Sequence, residues 1–162
     1  MNNPIRKIMV YVDGTEQSVT AAQYAVCLAS FSSAELIALY VINTRAVEDL
    51  LKARIFLKDE QVEYEHDMEA DAERYLNYVN ELAMKKGISI VKKRGRGSVN
   101  KEIVNVVNED EIDLLILGEL SRIRSRRDEF FDETERAMRA VPCSVLIVKD
   151  EDRVWEMYET LS

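Results

Sequence analysis

Five short apolar runs punctuate the chain, and stretches with helical spacing separate them. The runs are Lys7–Val12 (KIMVYV), Glu35–Ile42 (ELIALYVI), Ile88–Lys92, Asp113–Leu117 and Ser144–Val148. Each has strand length, and four are almost continuously apolar, as suits parallel strands buried on both faces. Ile88–Lys92 is more polar and is expected at a sheet edge. After the polar turn Thr15–Ser18, with its N-cap candidates, Ala22, Ala25, Val26 and Ala29 recur at helical spacing, and Ser30–Ser33 closes that helix. So many alanines let the helix sit close to a sheet. Strand, helix and strand here form a right-handed βαβ unit. The longest helix is predicted over 61–86, with Met68, Ala72, Tyr75, Leu76, Val79, Leu82 and Ala83 as its apolar stripe and Gly87 as its stop. Ser98 is an N-cap candidate for a helix carrying Ile103, Val106 and Val107, with Glu102 in its first turn. Segment 43–60 mixes Arg45, Lys52, Arg54 and Lys58 with Leu50, Leu51, Ile55, Phe56 and Leu57, and reads as a short helix or a flap.

The pattern predicts an α/β fold: one doubly wound domain over 1–150, with five parallel strands and helices on both faces. A helical tail over 151–162 carries Val154, Trp155, Tyr158 and Leu161 on one side and is expected to dock. The key stretch is Glu111–Val148: a strand, a turn at Gly118, a long polar loop, a short helix over Thr134–Ala140, and a last strand after Pro142. Such a loop lies at the carboxyl ends of the strands, where doubly wound sheets bind ligands.

Composition narrows the function. Apolar residues make up 47% and charged residues 32% of the chain, a globular balance. The net charge of -8 excludes a general attraction to nucleic acid or anionic membrane. Basic residues still cluster at Lys92, Lys93, Arg94 and Arg96, and again at Arg122, Arg124, Arg126 and Arg127. No apolar run approaches the roughly 20 residues that span a bilayer. The start, MNNPIRK, has no apolar signal region, which predicts a cytoplasmic protein. Cys27 and Cys143 lie far apart and read as two buried thiols in a reducing compartment.

Candidate chemistry is sparse. Gly95–Ser98 lacks the frame of a P-loop and reads as an ordinary turn rather than an anion nest. His66, the single histidine, lies on a charge-rich helix without a Cys or His partner and reads as a surface residue. Ser121 and Ser125 lack the context of a nucleophile elbow. Asp13 either meets a ribose hydroxyl or caps the turn after the first strand. No catalytic or metal-binding residue is therefore expected. A redox domain of flavodoxin-like topology is disfavoured, because no flavin phosphate loop follows the first strand.

Lys7–Asp13, Tyr40–Ile42, Asp113–Gly118 (DLLILG) and Glu135–Val148 (ERAMRAVPCSVLIV) resemble the signature positions of universal stress proteins, and the resemblance runs from Lys7 to Lys149. It implies strand order 3-2-1-4-5 and a homodimer paired through the last strand. Some members bind ATP through G-x2-G-x9-G-[ST] after the fourth strand. Here Gly118 keeps the first position, but Ser121 and Phe131 replace the later glycines and Asp132 replaces the hydroxyl residue. The glycines of such a loop let backbone N–H groups approach an anion, and Phe131 hinders that approach. Asp132, with Asp128, Glu129 and Glu133 nearby, opposes phosphate; one such charge at ~4 Å and a dielectric near 20 costs about 4 kcal/mol. Arg122, Arg124, Arg126 and Arg127 either reach phosphates or pair with these carboxylates.

The candidate adenine-nucleotide crevice comprises Val12, Asp13, Val41, Leu117, Gly118, Ser121 and Thr134. The resemblance implies a non-catalytic, cytoplasmic regulatory module for stress response, homodimeric and acting through a protein partner, with absent or weak binding of ATP or AMP. The alternative is an ATP- or AMP-binding protein with nucleotide-dependent switching or slow ATP hydrolysis.

Overall fold

A computed structural model of the chain describes residues 3–55, 57–120 and 133–162. Within them five strands, β1 (Lys7–Tyr11), β2 (Glu35–Ile42), β3 (Ile90–Arg96), β4 (Leu114–Gly118) and β5 (Ser144–Val148), form one sheet in the order β3-β2-β1-β4-β5. Every pairing is parallel. Six helices lie among the described residues: α1 (Glu16–Ser32), α2 (Thr44–Lys52), α3 (Lys58–Met84), α4 (Val99–Glu109), α5 (Glu133–Ala140) and α6 (Glu151–Thr160).

Strand alternation divides the core into two layers. Ile8, Val10 and Val12, with Leu36, Ala38, Tyr40 and Ile42, face α1, α3 and α6. Met9 and Tyr11, with Ile37, Leu39 and Val41, face α4 and α5. A parallel sheet needs cover on both faces, and the near-continuous apolar runs supply both layers at once. Burying each Leu or Ile side chain stabilises the fold by about 1.5–3 kcal/mol.

Two features depart from the pattern read along the chain, the third strand and Trp155, and segment 43–60 takes the first of its two readings. The third strand begins at Ile90 rather than Ile88 and runs on to Arg96, so Gly95 and Arg96 are strand residues. Its basic side chains are drawn to groups around it: Lys92 Nζ donates to Asn77 Oδ1 at 3.0 Å, Lys93 pairs with Asp110, and Arg96 pairs with Glu69 and with Glu65 at 3.8 Å. Periodicity cannot register such partners, which lie on other elements of the same chain. Segment 43–60 holds a true helix, α2, anchored by fully buried Val47. Trp155 does not join Val154 and Tyr158 in the core; it is 50% exposed, while those two are 3% exposed.

Asp113, the aspartate of DLLILG, works at the amino end of the sheet. Its Oδ2 accepts the backbone N–H of Arg6 at 2.9 Å and of Lys7 at 3.0 Å, fixing the start of β1 beside β4. Those two bonds favour the ionised form and hold its carboxyl below the usual range. Burial raises both free thiols, Cys27 and Cys143, above the ordinary cysteine value.

The tail docks through α6. Asp150 caps it, with Oδ1 accepting the Arg153 N–H at 3.2 Å. The buried Tyr158 hydroxyl donates to the Leu82 carbonyl of α3 at 2.8 Å. Lys86 Nζ donates to the Leu161 carbonyl at 2.9 Å and lies 4.8 Å from the centre of the Tyr158 ring. Tyr158→Phe strands that carbonyl and is expected to lower unfolding stability by about 1 kcal/mol. A urea midpoint unchanged from wild type would contradict this account of the tail.

Candidate functional site

The chain order reverses between β1 and β4, and ligands of doubly wound sheets bind at that reversal, beyond the carboxyl ends of the strands. A crevice of about 70 Å³ opens there, lined by Tyr11, Asp13, Thr15, Gln17, Ser18, Gly118, Glu119, Leu120 and Thr134. β1 delivers Tyr11 and leads into Asp13. The first turns of α1 supply Gln17 and Ser18. β4 ends at Gly118, and Thr134 opens α5 on the far wall.

A closed set of hydrogen bonds shapes the β1–α1 turn. Asp13 Oδ1 accepts the Thr15 N–H at 3.0 Å and the Thr15 hydroxyl at 2.6 Å. Thr15 Oγ1 in turn accepts the Ser18 N–H at 3.1 Å and caps α1. The Asp13 N–H donates back to Ser18 Oγ at 3.3 Å. The capping role of Asp13 is thus realised, and both of these bonds fall on a single carboxylate oxygen. Between Asp13 and Thr15, Gly14 takes φ +85, and a Cβ there would lie 2.6 Å from the Tyr75 ring of α3. Tyr75 stacks on Tyr40 with ring centres 6.3 Å apart.

Gly118 is dictated by packing. A Cβ at this position would lie 2.5 Å from the Gln17 carbonyl oxygen and 2.6 Å from its carbon. Only glycine lets the amino end of α1 come this close to the end of β4. The glycine that the resemblance assigns to nucleotide binding therefore has a structural duty of its own.

The crevice is acidic among its described lining. Asp13 and Glu119 are carboxylates, and no described lining residue is Lys or Arg. Burial, then the charge of Asp13 and weaker neighbours including Glu133, pushes the Tyr11 phenol above its ordinary value. Burial, followed by Asp71 and Asp13, pushes Tyr40 up to about 12.

Of the residues expected at the site, Asp13, Gly118 and Thr134 line the crevice together. Val12, Val41 and Leu117 are buried in the core beside it and do not line it. Ser121 lies outside the described residues, as do Phe131, Asp132 and Arg122, Arg124, Arg126 and Arg127. Gln17, Ser18 and Tyr11 are lining residues that periodicity had absorbed into a helix turn and a strand. His66 is exposed on α3. Among the described residues no group of His, Cys, Asp and Glu is arranged to hold a metal ion. A larger, open hollow of about 710 Å³ lies at the amino ends of the strands, around Arg6, Lys7, Glu35 and Asp113. It stands at the opposite end of the sheet from the topological reversal, and its Asp113 carboxylate already holds two backbone N–H groups.

The family model of the universal stress proteins matches residues 4–149, nearly the whole of this fold. The chain belongs to the universal stress protein family. A universal stress protein of Methanocaldococcus jannaschii is 26% identical over 147 residues, covering 91% of this chain and 84% of that protein. The solved universal stress protein UspA of Lactobacillus plantarum superposes with a TM-score of 0.71 at 21% identity, covering 91% of this chain and 100% of that one. A universal stress protein of Arabidopsis thaliana, solved with AMP bound, gives a TM-score of 0.64 at 14% identity, over 91% and 94% of the two chains. These likenesses agree with the UspA-like, Rossmann-type sheet order found here. No helix among the described residues is long and apolar enough to cross a membrane.

Two expected outcomes follow from this geometry. Gly118→Ala pushes a methyl group into the Gln17 backbone and should cost about 1–3 kcal/mol of stability, measured by urea unfolding without ligand. A glycine kept only for ligand contact would show no such loss. Because the folded-state value of Tyr40 is raised, its contribution is complete below the unfolded value of 10.0 and is lost as pH rises toward about 12. Ultraviolet tyrosinate titration alongside urea midpoints should show stability falling across that window. Titration of Tyr40 at its ordinary value would contradict the assignment.

Proposed function

We propose that this universal stress protein is a non-catalytic regulatory module of the cytoplasm. Its crevice takes the nucleoside end of an adenine nucleotide weakly and disfavours phosphates, AMP less than ATP. The carrying observation is the acidic lining of the crevice among the described residues, with Asp13 and Glu119 and, among them, no Lys or Arg. The altered G-x2-G-x9-G-[ST] frame at Ser121, Phe131 and Asp132 supports the same reading, since the nest of backbone N–H groups depends on its glycines. The site residues proposed for this role are Asp13, Gly118 and Thr134 at the lining, Val12, Val41 and Leu117 as the apolar bed behind it, and Ser121 from the following segment.

The module is proposed to act as a homodimer through β5 and to signal through a regulatory protein partner. Among the described strands β5 pairs only with β4, and Val145, Leu146 and Ile147 are half-buried along it. An apolar edge of this kind invites a second strand. A second reading, an ATP- or AMP-binding protein with nucleotide-dependent switching or slow ATP hydrolysis, draws on the AMP-bound relative.

Calorimetry with AMP and ATP tests the proposal. Weak binding of AMP and weaker binding of ATP is the expected result. Ser121→Gly, Phe131→Gly and Asp132→Ser together should improve ATP binding more than AMP binding, because only the longer ligand places charge against the restored N–H groups. Tight ATP binding by the natural chain would favour the second reading and assign phosphate contact to Arg122–Arg127. Light scattering at micromolar concentration should give a dimer, and a monomer would remove the proposed β5 pairing.

A further inference from the structure

At its start the far wall of the crevice is tied to α4 by one carboxylate. Glu133 Oε2 accepts the Ser98 hydroxyl at 2.9 Å and the Asn100 N–H at 3.0 Å. Ser98 is the residue at the N-cap of α4, yet its own side chain makes no capping bond to that helix. The cap of α4 is supplied instead by a residue more than thirty positions away, the first residue of α5. A carboxylate at a helix amino end is favoured both by the free N–H groups and by the helix dipole. Further along, α5 presses fully buried Ala137 into the core layer that holds Val99 and Ile103 of α4. Between these two attachments the backbone places Thr134 on the crevice wall.

We propose that Glu133 is a positioning residue of the crevice: by spanning Ser98 and Asn100 it latches the start of α5 to α4 and so sets where Thr134 stands opposite Asp13. The proposal rests on the crevice being the ligand site for its meaning, but the latch itself exists without ligand. Reach is the decisive property. Glutamine keeps an acceptor oxygen at the same distance, so it holds the latch without charge. Aspartate keeps the charge but is one methylene short, so it leaves the Ser98 hydroxyl and the Asn100 N–H without that acceptor.

Amide hydrogen exchange on the full-length protein without ligand tests this, with urea unfolding measured in parallel. Glu133→Ala is expected to speed exchange at Asn100 and along the first turn of α5 by roughly tenfold to a hundredfold, the range for a lost bond to a charged acceptor. The sheet amides of β1 and β4 should be little changed. Glu133→Gln should return most of the protection, and Glu133→Asp should not. If Glu133→Ala does not fold, the contrast between Gln and Asp alone decides the matter. Wild-type exchange at Asn100 in Glu133→Ala overturns the latch. So does better protection by Asp than by Gln, which would mark a general charge effect at the helix end, or equal protection by the two, which would mean that reach does not matter, and so does a uniform rise in exchange across the sheet. Calorimetry with AMP on the same variants bears only on the ligand reading: if neither natural protein nor variants bind AMP, that reading fails while the exchange result still decides the latch.

Discussion

The structure depends on how closely α1 sits on the sheet. Its inner face is built from Ala21, Ala22, Ala25 and Ala29, all buried against strand side chains. At its amino end the backbone of Gln17 passes so near Gly118 that no Cβ fits between them. That single close approach brings the β1–α1 turn against the end of β4, so the topological reversal becomes a narrow crevice rather than an open cleft. A bulkier inner face would lift the helix and move Asp13, Thr15 and Ser18 away from Gly118. Side-chain volume at four alanines and one glycine therefore sets the width of the site.

The same economy appears in the charged residues. Asp113 uses its carboxylate to hold β1 beside β4, and Asp13 uses one oxygen to close the turn before α1. Glu133 caps the amino end of α4 while opening α5. Arg96 ties the end of β3 to α3. Each of these groups looks like recognition chemistry in a linear sequence, and each has an internal partner. At the carboxyl end of the sheet the described acidic groups Asp13 and Glu133 serve the architecture, and at the amino end Asp113 does the same. Burial is the larger cause of the raised phenol values of Tyr11 and Tyr40, and the charge of Asp13 adds to both.

Universal stress proteins share this sheet order with relatives of low identity, as the Lactobacillus plantarum and Arabidopsis thaliana structures illustrate. The sheet order is robust because it follows from hydrophobic pattern and chirality, which many sequences satisfy. Packing against Gln17 requires Gly118 whether or not a ligand is bound, so its presence carries less information about nucleotide than a motif comparison suggests.

The pattern of apolar runs and helical spacing was enough to determine the class of fold, the bounds of β2 and β5, and the docking of Val154 and Tyr158, because these depend on local hydrophobic pattern and turn chemistry. The link from Gly118 to a crevice also came from the chain, through the resemblance at DLLILG. What only tertiary structure decided are contacts between residues distant in sequence. Gly118 against Gln17, Tyr75 over Gly14, Arg96 on Glu69 and Glu133 on Ser98 each join separate elements, and no window of the chain contains both partners. The extension of β3 to Arg96 belongs to the same group, since its basic side chains become strand residues only beside β2 and the acids of α3. Packing likewise separated Trp155 from its helical neighbours, burying Val154 and Tyr158 and leaving the indole half in solvent.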